Sequence, residues 1–125
     1  MKLTELTFFT DNLKQMTDFY QRLLGVKPVS QSDDMSIFFL GDVKIFIHYR
    51  YTPKDGELPP ENHVAFLTSS VDETSRQLTE QGLTVEVSPR DFYWGRSAYL
   101  RDPDGHQIEI AQNKNQTGEG ESHVG

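Results

Sequence analysis

Cysteine is absent from the 125 residues, which removes disulfides, thiolate nucleophiles and cysteine-ligated zinc from consideration. No run approaches the roughly 20 apolar residues of a membrane span, and residues 1–20 lack the basic start and apolar stretch of a secretory leader. A basic excess is missing too: 12 Lys and Arg stand against 19 Asp and Glu, a formal net charge of -7. Such a surface repels phosphate backbones and anionic lipid, so neither nucleic acid nor a membrane is an expected partner. No glycine-rich phosphate loop and no nucleophile elbow occurs. These absences leave a cytoplasmic location as the expectation. What remains is 35% hydrophobic and 25% charged, the composition of a globular chain with one real core rather than a disordered one.

The chain reads as the same unit written twice. "KLTELTFF" alternates and predicts a strand over residues 3–9. Asp11 is placed to cap a helix over 12–24, where Leu13, Met16, Tyr20, Leu23 and Leu24 recur at helical spacing and Gly25 suits the end. Strands follow at 26–31, 35–40 and 43–50. The stretch "TPKDGELPPEN", residues 52–62, holds three prolines, one glycine and little to bury, and reads as a linker. The order then restarts with strand "HVAFLT", a helix over 71–81 opened by a Ser70/Glu73 capping box, and strand "LTVEVS". A loop "PRDFYWG" and strands at 96–101 and 106–111 complete it. The division expected is one domain over 1–112, with modules at 1–51 and 63–112 and a flexible tail at 113–125.

A helix covers one face of a sheet, and alternation says which side chains take the other. Leu6 and Phe8 belong under the first helix, sending Glu5, Thr7 and Phe9 to the opposite face. Ile45 and Ile47 do the same, leaving Lys44, Phe46, His48 and Arg50 opposite. In the second unit the opposite face receives His63 and Ala65 from one strand, and Gln107, Glu109 and Ala111 from another. The first and last strands of both units therefore each place one metal-capable side chain on the same kind of face: Glu5, His48, His63 and Glu109. Two neutral imidazoles and two carboxylates would neutralise a divalent cation and suit zinc, nickel, manganese, cobalt or iron. Singly, each has an ordinary structural role available, and His106 after the turn glycine reads as structural.

The first helix "NLKQMTDFYQRLLGV", the restart "NHVAFLTSSVDETSRQLTEQG" and above all "WGRSAYLRDPDGHQIEI" resemble the vicinal oxygen chelate superfamily. That is the group of glyoxalase I, bleomycin-resistance proteins, fosfomycin-resistance proteins and extradiol dioxygenases. The resemblance implies an α+β fold of paired βαβββ modules forming a curled mixed sheet around a cavity, often built across a homodimer. It also implies that Glu5, His48, His63 and Glu109 are the metal ligands, with Glu109 or Glu5 doubling as a proton shuttle. The match departs from the pattern at two places. The first position is more often histidine or glutamine, and the last strand of the first module more often offers a carboxylate than a histidine.

Two functions are open on this reading. One is a glyoxalase-like divalent-metal enzyme, a lyase or isomerase moving a proton on a small substrate that chelates through adjacent oxygens. The other is a metal-free, bleomycin-resistance-type protein that sequesters a small aromatic cation, drawn by the acidic surface. Phe46, Trp94 and Tyr99 are candidate stacking residues for substrate or ligand, and Arg96 and Arg101 are candidate clamps for an anionic group.

Overall fold

The structure, a computed structural model, describes residues 1–113. The described chain divides into two compact units: Thr4–His63, and Met1–Leu3 together with residues 64–113. Both carry the expected strand, helix and three strands. None of the described helices is long and apolar enough to cross a membrane.

The first unit comprises β1 (Lys2–Thr10), α1 (Leu13–Leu24), β2 (Ser30–Gln31), β3 (Met35–Leu40) and β4 (Val43–Tyr49), with strand order β2-β3-β4-β1. β1 and β4 run parallel, with Glu5 opposite Lys44, Thr7 opposite Phe46 and Phe9 opposite His48. β3 pairs antiparallel with both β4 and β2. The core lies where α1 meets the sheet: Phe38, Ile45 and Ile47 are buried against Phe8, Leu13, Met16, Tyr20 and Leu24. Each such side chain contributes about 1.5–3 kcal/mol by leaving water. Beneath the helix, Thr17 and Ser36 meet hydroxyl to hydroxyl at 2.6 Å, so neither buried oxygen lacks a partner. Leu23, expected among the core positions, points outward at 62% exposure. Gly25 ends the helix in the left-handed region (φ 73°), its N–H donating to the Gln21 carbonyl at 3.0 Å.

Two local expectations change here. Asn12, not Asp11, is the N-cap, and no side chain caps α1; instead the Thr10 hydroxyl accepts from the Asn12 N–H at 2.9 Å. The strand expected over 26–31 contracts to Ser30–Gln31, downstream of Pro28, which has no N–H to give a ladder.

The second unit comprises β5 (His63–Leu67), α2 (Val71–Glu80), β6 (Val85–Phe92), β7 (Gly95–Arg101) and β8 (Gln107–Asn113), in the order β5-β8-β7-β6. Val71, Ala98, Leu100 and Ile110 form its core with Phe66, Leu78, Val85 and Ile108 packed against them. Ser70 caps α2 as expected, its Oγ accepting from the Glu73 N–H at 3.1 Å. The return half of the capping box is replaced, because the Glu73 carboxylate is taken by Arg76. Asp102 organises the β7–β8 turn: Oδ1 accepts from the N–H groups of Asp104 (3.1 Å) and His106 (2.8 Å). His106 Nδ1 lies 2.9 Å from Asp102 Oδ2, in keeping with a structural role.

The segment read as a loop over 89–95 is mostly strand. β6 continues to Phe92, and only Tyr93 and Trp94 turn before Gly95. Pro89 is tolerated because β6 is the end strand of this unit's order and its register with β7 shifts twice, between Val85/Val87 and between Val87/Arg90. The linker stretch 52–62 holds no helix or strand. Asn113, assigned to the expected tail, belongs to β8, and the rest of that tail lies outside the described residues.

Candidate functional site

Glu109 lies in the middle of β8, paired across the antiparallel ladder with Tyr99 of β7. Alternation sends Ile108 and Ile110 to the α2 side, where both join the core, so Glu109 is turned to the other face together with Gln107. That face is not open water: Glu109 is 5% exposed, Tyr99 2% and Ser97 not at all. A buried carboxylate needs donors, and Ser97 supplies one, its hydroxyl donating to Glu109 Oε2 at 2.7 Å. Ser97 Oγ in turn accepts from Trp94 Nε1–H at 3.2 Å. The Trp94 ring stacks on Phe92 (centroids 4.4 Å, planes 7° apart), and Phe92 meets Tyr99 edge-on at 6.0 Å. Arg90 covers the Phe92 ring, its guanidinium carbon 4.5 Å from the centroid. Gly95 makes this hairpin possible: its φ of 147° is one that only glycine adopts without strain, and it returns the chain from Trp94 into β7.

Of the remaining members of the expected ligand set, Glu5 and His48 lie in the first unit, and His63 stands at the boundary of the two units as the first residue of β5. Glu5 accepts a short hydrogen bond from the Thr7 hydroxyl and has Lys44 Nζ 3.4 Å from its Oε1. His48 sits among rings, stacked on Tyr49 at 4.9 Å and flanked by Phe46, Tyr51 and Phe9 at 5.8, 5.7 and 5.9 Å. Its Nδ1 lies 2.7 Å from the Tyr49 carbonyl oxygen. His63 has the same arrangement, Nδ1 standing 2.9 Å from the Glu61 carbonyl oxygen. A carbonyl oxygen only accepts, so Nδ1 carries the hydrogen in both rings. In the neutral rings the lone pair therefore sits on Nε2, one of the two nitrogens through which histidine binds a metal. The donor chemistry fits a divalent cation. The grouping is a separate matter: among the described residues, no three His, Asp or Glu side chains stand together as a group that could hold an ion.

The other expected binding residues divide. Phe46 is half-buried beside His48, with Lys44 Nζ 5.6 Å over its ring. Trp94 and Tyr99 belong to the Glu109 cluster. The guanidinium groups are engaged within the chain: Arg96 grips Asp72 through Nε and Nη2 (2.8 and 3.0 Å) and Asp91 through Nη1 (3.0 Å). Those hydrogen bonds hold Arg96 more firmly protonated than usual, and its hydrogen bond holds the Asp72 carboxyl below the ordinary range. Arg101 binds Glu86 (3.1 Å) and the Gly105 carbonyl (3.0 Å). A shallow, open depression of about 380 Å³ lies between α2 and β6, lined by residues including Ser75, Thr79, Val85 and Pro89, and shares no lining residue with the expected set.

Sequence reasoning did not single out Ser97. The signal was available in the spacing: β7 and β8 pair directly, so the alternation that aims Glu109 also aims Ser97 and Tyr99, and only Ser97 of that pair of neighbours is small.

Known proteins carry the same chain plan. An uncharacterized protein, YraH of Bacillus subtilis, is 30% identical over a gapped alignment of 125 positions that covers 88% of this chain and 97% of that one. The lactoylglutathione lyase of Escherichia coli O157:H7 is 25% identical over a gapped alignment of 127 positions that covers 91% of this chain and 94% of that one. Among solved structures, one described as an NAD-dependent benzaldehyde dehydrogenase from Legionella pneumophila superposes with a TM-score of 0.69 at 22% identity, over 88% of this chain and 98% of that one. At that identity the likeness shows the fold alone. A family model described as Glyoxalase/Bleomycin resistance protein/Dioxygenase superfamily matches residues 2–110, and with a match of that extent over the repeated βαβββ units, this chain belongs to that superfamily.

Proposed function

We propose that this protein is a divalent-metal-dependent enzyme of the glyoxalase type, moving a proton on a small substrate that chelates through adjacent oxygens. The observation that carries the reading is the paired state of the two histidines. Both His48 and His63 present Nδ1 to a backbone carbonyl, which sets Nε2 in advance as the nitrogen with the lone pair for a metal. His48, His63, Glu5 and Glu109 would hold the ion, whether zinc, nickel, manganese, cobalt or iron. Since the described residues of one chain group no three such donors, the reading takes the functional unit to be a homodimer in which a second copy helps to complete the ligand set. A bound divalent ion would supply Lewis-acid polarisation of a substrate oxygen.

The chain's own residues do the rest. Glu109, buried and already oriented by Ser97, is the group assigned to take and return the proton. Glu5 is the second carboxylate, with the Lys44 ammonium beside it at 3.4 Å. Phe46 and Trp94 would offer ring faces to the substrate, and Tyr99, buried, would act from behind them through its edge contact with Phe92. Arg96 and Arg101 could meet an anionic substrate group only in competition with Asp72, Asp91 and Glu86. The similarity to a lactoylglutathione lyase supports this reaction class.

A second reading, a metal-free binder of a small aromatic cation, is favoured by the Lys44–Glu5 pair, in which an ammonium already supplies the positive charge that an ion would bring. The two are separated by metal analysis of protein purified without chelator, followed by equilibrium dialysis against zinc, nickel and manganese. About one equivalent per chain, lost in His63→Ala and in Glu109→Ala while far-UV circular dichroism is unchanged, supports the enzyme. No uptake of any of the three ions, with saturable binding of an aromatic cation such as ethidium, supports the binder.

A further inference from the structure

We infer that Ser97 is a positioning residue for Glu109 and that Trp94 sets the direction in which Ser97 works. This rests on the reading of Glu109 as the functional carboxylate. The argument is one of hydrogen-bond polarity. An indole N–H donates and never accepts. With Trp94 Nε1 at 3.2 Å, the Ser97 oxygen is therefore an acceptor on that side, and its single proton is directed elsewhere. Glu109 Oε2 stands 2.7 Å away and receives it. Without the indole, the serine hydroxyl loses the one N–H donor that fixes which way its proton rotates. With it, the serine proton is turned away from the indole and toward Glu109, and the Oε2 edge of Glu109 is held in one orientation.

The surroundings make this polarity hard to lose. Ser97 is completely buried, so water does not take over its place. Trp94 is 41% exposed, but its ring is clamped flat on Phe92 and met edge-on by Tyr93 at 4.9 Å with planes 87° apart. Phe92 is itself held by Tyr99 and by Arg90. The partly exposed ring and the buried carboxylate are thus the two ends of one hydrogen-bonded chain. A change at Glu109 alters the hydrogen bond of Ser97 and, through it, the environment of the indole. Trp94 is the chain's single tryptophan, so its fluorescence reports that environment alone.

The test uses the full chain and two independent readouts. In the first, Trp94 emission is compared in wild type, Glu109→Gln, Ser97→Ala and the double variant, each checked for cooperative unfolding. Glu109→Gln is expected to move the emission maximum in the wild-type background and to leave it unmoved in the Ser97→Ala background. An equal shift in both backgrounds, or none in either, overturns the inference. The second readout is manganese affinity by equilibrium dialysis. Ser97→Ala is expected to weaken it about tenfold, as loss of a group orienting a ligand does. Trp94→Phe, which keeps the stacked ring and removes only the N–H, is expected to weaken it severalfold in the same direction. Unchanged affinity in both variants overturns the inference. Absence of manganese binding by the wild type refutes the metal reading instead, and the emission result then decides the positioning role by itself.

Discussion

Lys44 Nζ lies 3.4 Å from Glu5 Oε1, across a parallel strand pair in which the two residues are register partners. The ammonium competes with any cation for this carboxylate. Lys44→Met should therefore raise the affinity for manganese severalfold if Glu5 is a ligand, because the ion no longer displaces a charge. Equilibrium dialysis of the two proteins side by side measures this. An affinity equal to or below that of wild type removes Glu5 from the ligand set.

Ile47 has no exposed surface and sits at the centre of the first unit's core with Phe38 and Ile45. Ile47→Val should cost about 0.5–1.5 kcal/mol and Ile47→Ala about 2–5 kcal/mol, the latter for lost burial and the cavity left behind. Urea unfolding followed by circular dichroism gives both values, and a cost under 1 kcal/mol for alanine would contradict the packing described.

The two helix starts should respond differently. Ser70 accepts from the Glu73 N–H, so Ser70→Ala should destabilise by about 1 kcal/mol. Asn12 occupies the equivalent place at α1 but makes no side-chain cap. Asn12→Ala should therefore cost only a few tenths of a kcal/mol, since no capping bond is lost. Thermal unfolding of the pair settles the order.

Asp72 titrates below its ordinary 3.8, chiefly because of its hydrogen bond with Arg96. A carboxyl whose folded pKa is depressed adds stability above its unfolded pKa and loses it as pH falls through the folded value. Arg96→Ala should thus lower stability at neutral pH by a small amount, the pair being partly exposed. The difference from wild type should shrink as pH falls below about 4. Urea midpoints between pH 7 and pH 2 measure this, and a difference that grows toward acid would contradict the assignment. Asp102 shares the direction of shift, mainly through its bond from the His106 backbone, so Asp102→Ala should show the same shrinkage in acid.

Much of this architecture was legible before the structure. Strand and helix periods located β1, α1, β5, α2 and β8, and parity alone aimed Ile45, Ile47, Ile108 and Ile110 at the helices and Glu5, His48 and Glu109 away from them. These are short-range consequences of a pleat with period two and a helix with period 3.6, and they need no partner to be read. Boundaries failed where the local signal and the ladder disagreed. "PRDFYWG" carries proline and glycine and looks like loop, yet an end strand with register shifts accommodates Pro89 and runs to Phe92.

What Glu109 touches was decided only in three dimensions. Its place on the face away from α2 follows from sequence, and hairpin pairing offers Ser97 and Tyr99 as its neighbours, but which of them donates to it was decided by the folded register. The same holds for Arg96 and Arg101, which look like free cations in a string of letters and prove to be spoken for by Asp72, Asp91 and Glu86. Composition and periodicity set which side chains face together, because those depend on neighbours a few residues apart. Hydrogen-bond partners and charge pairs depend on which distant strands lie side by side, and only the folded chain brings 97 to 109 or 72 to 96.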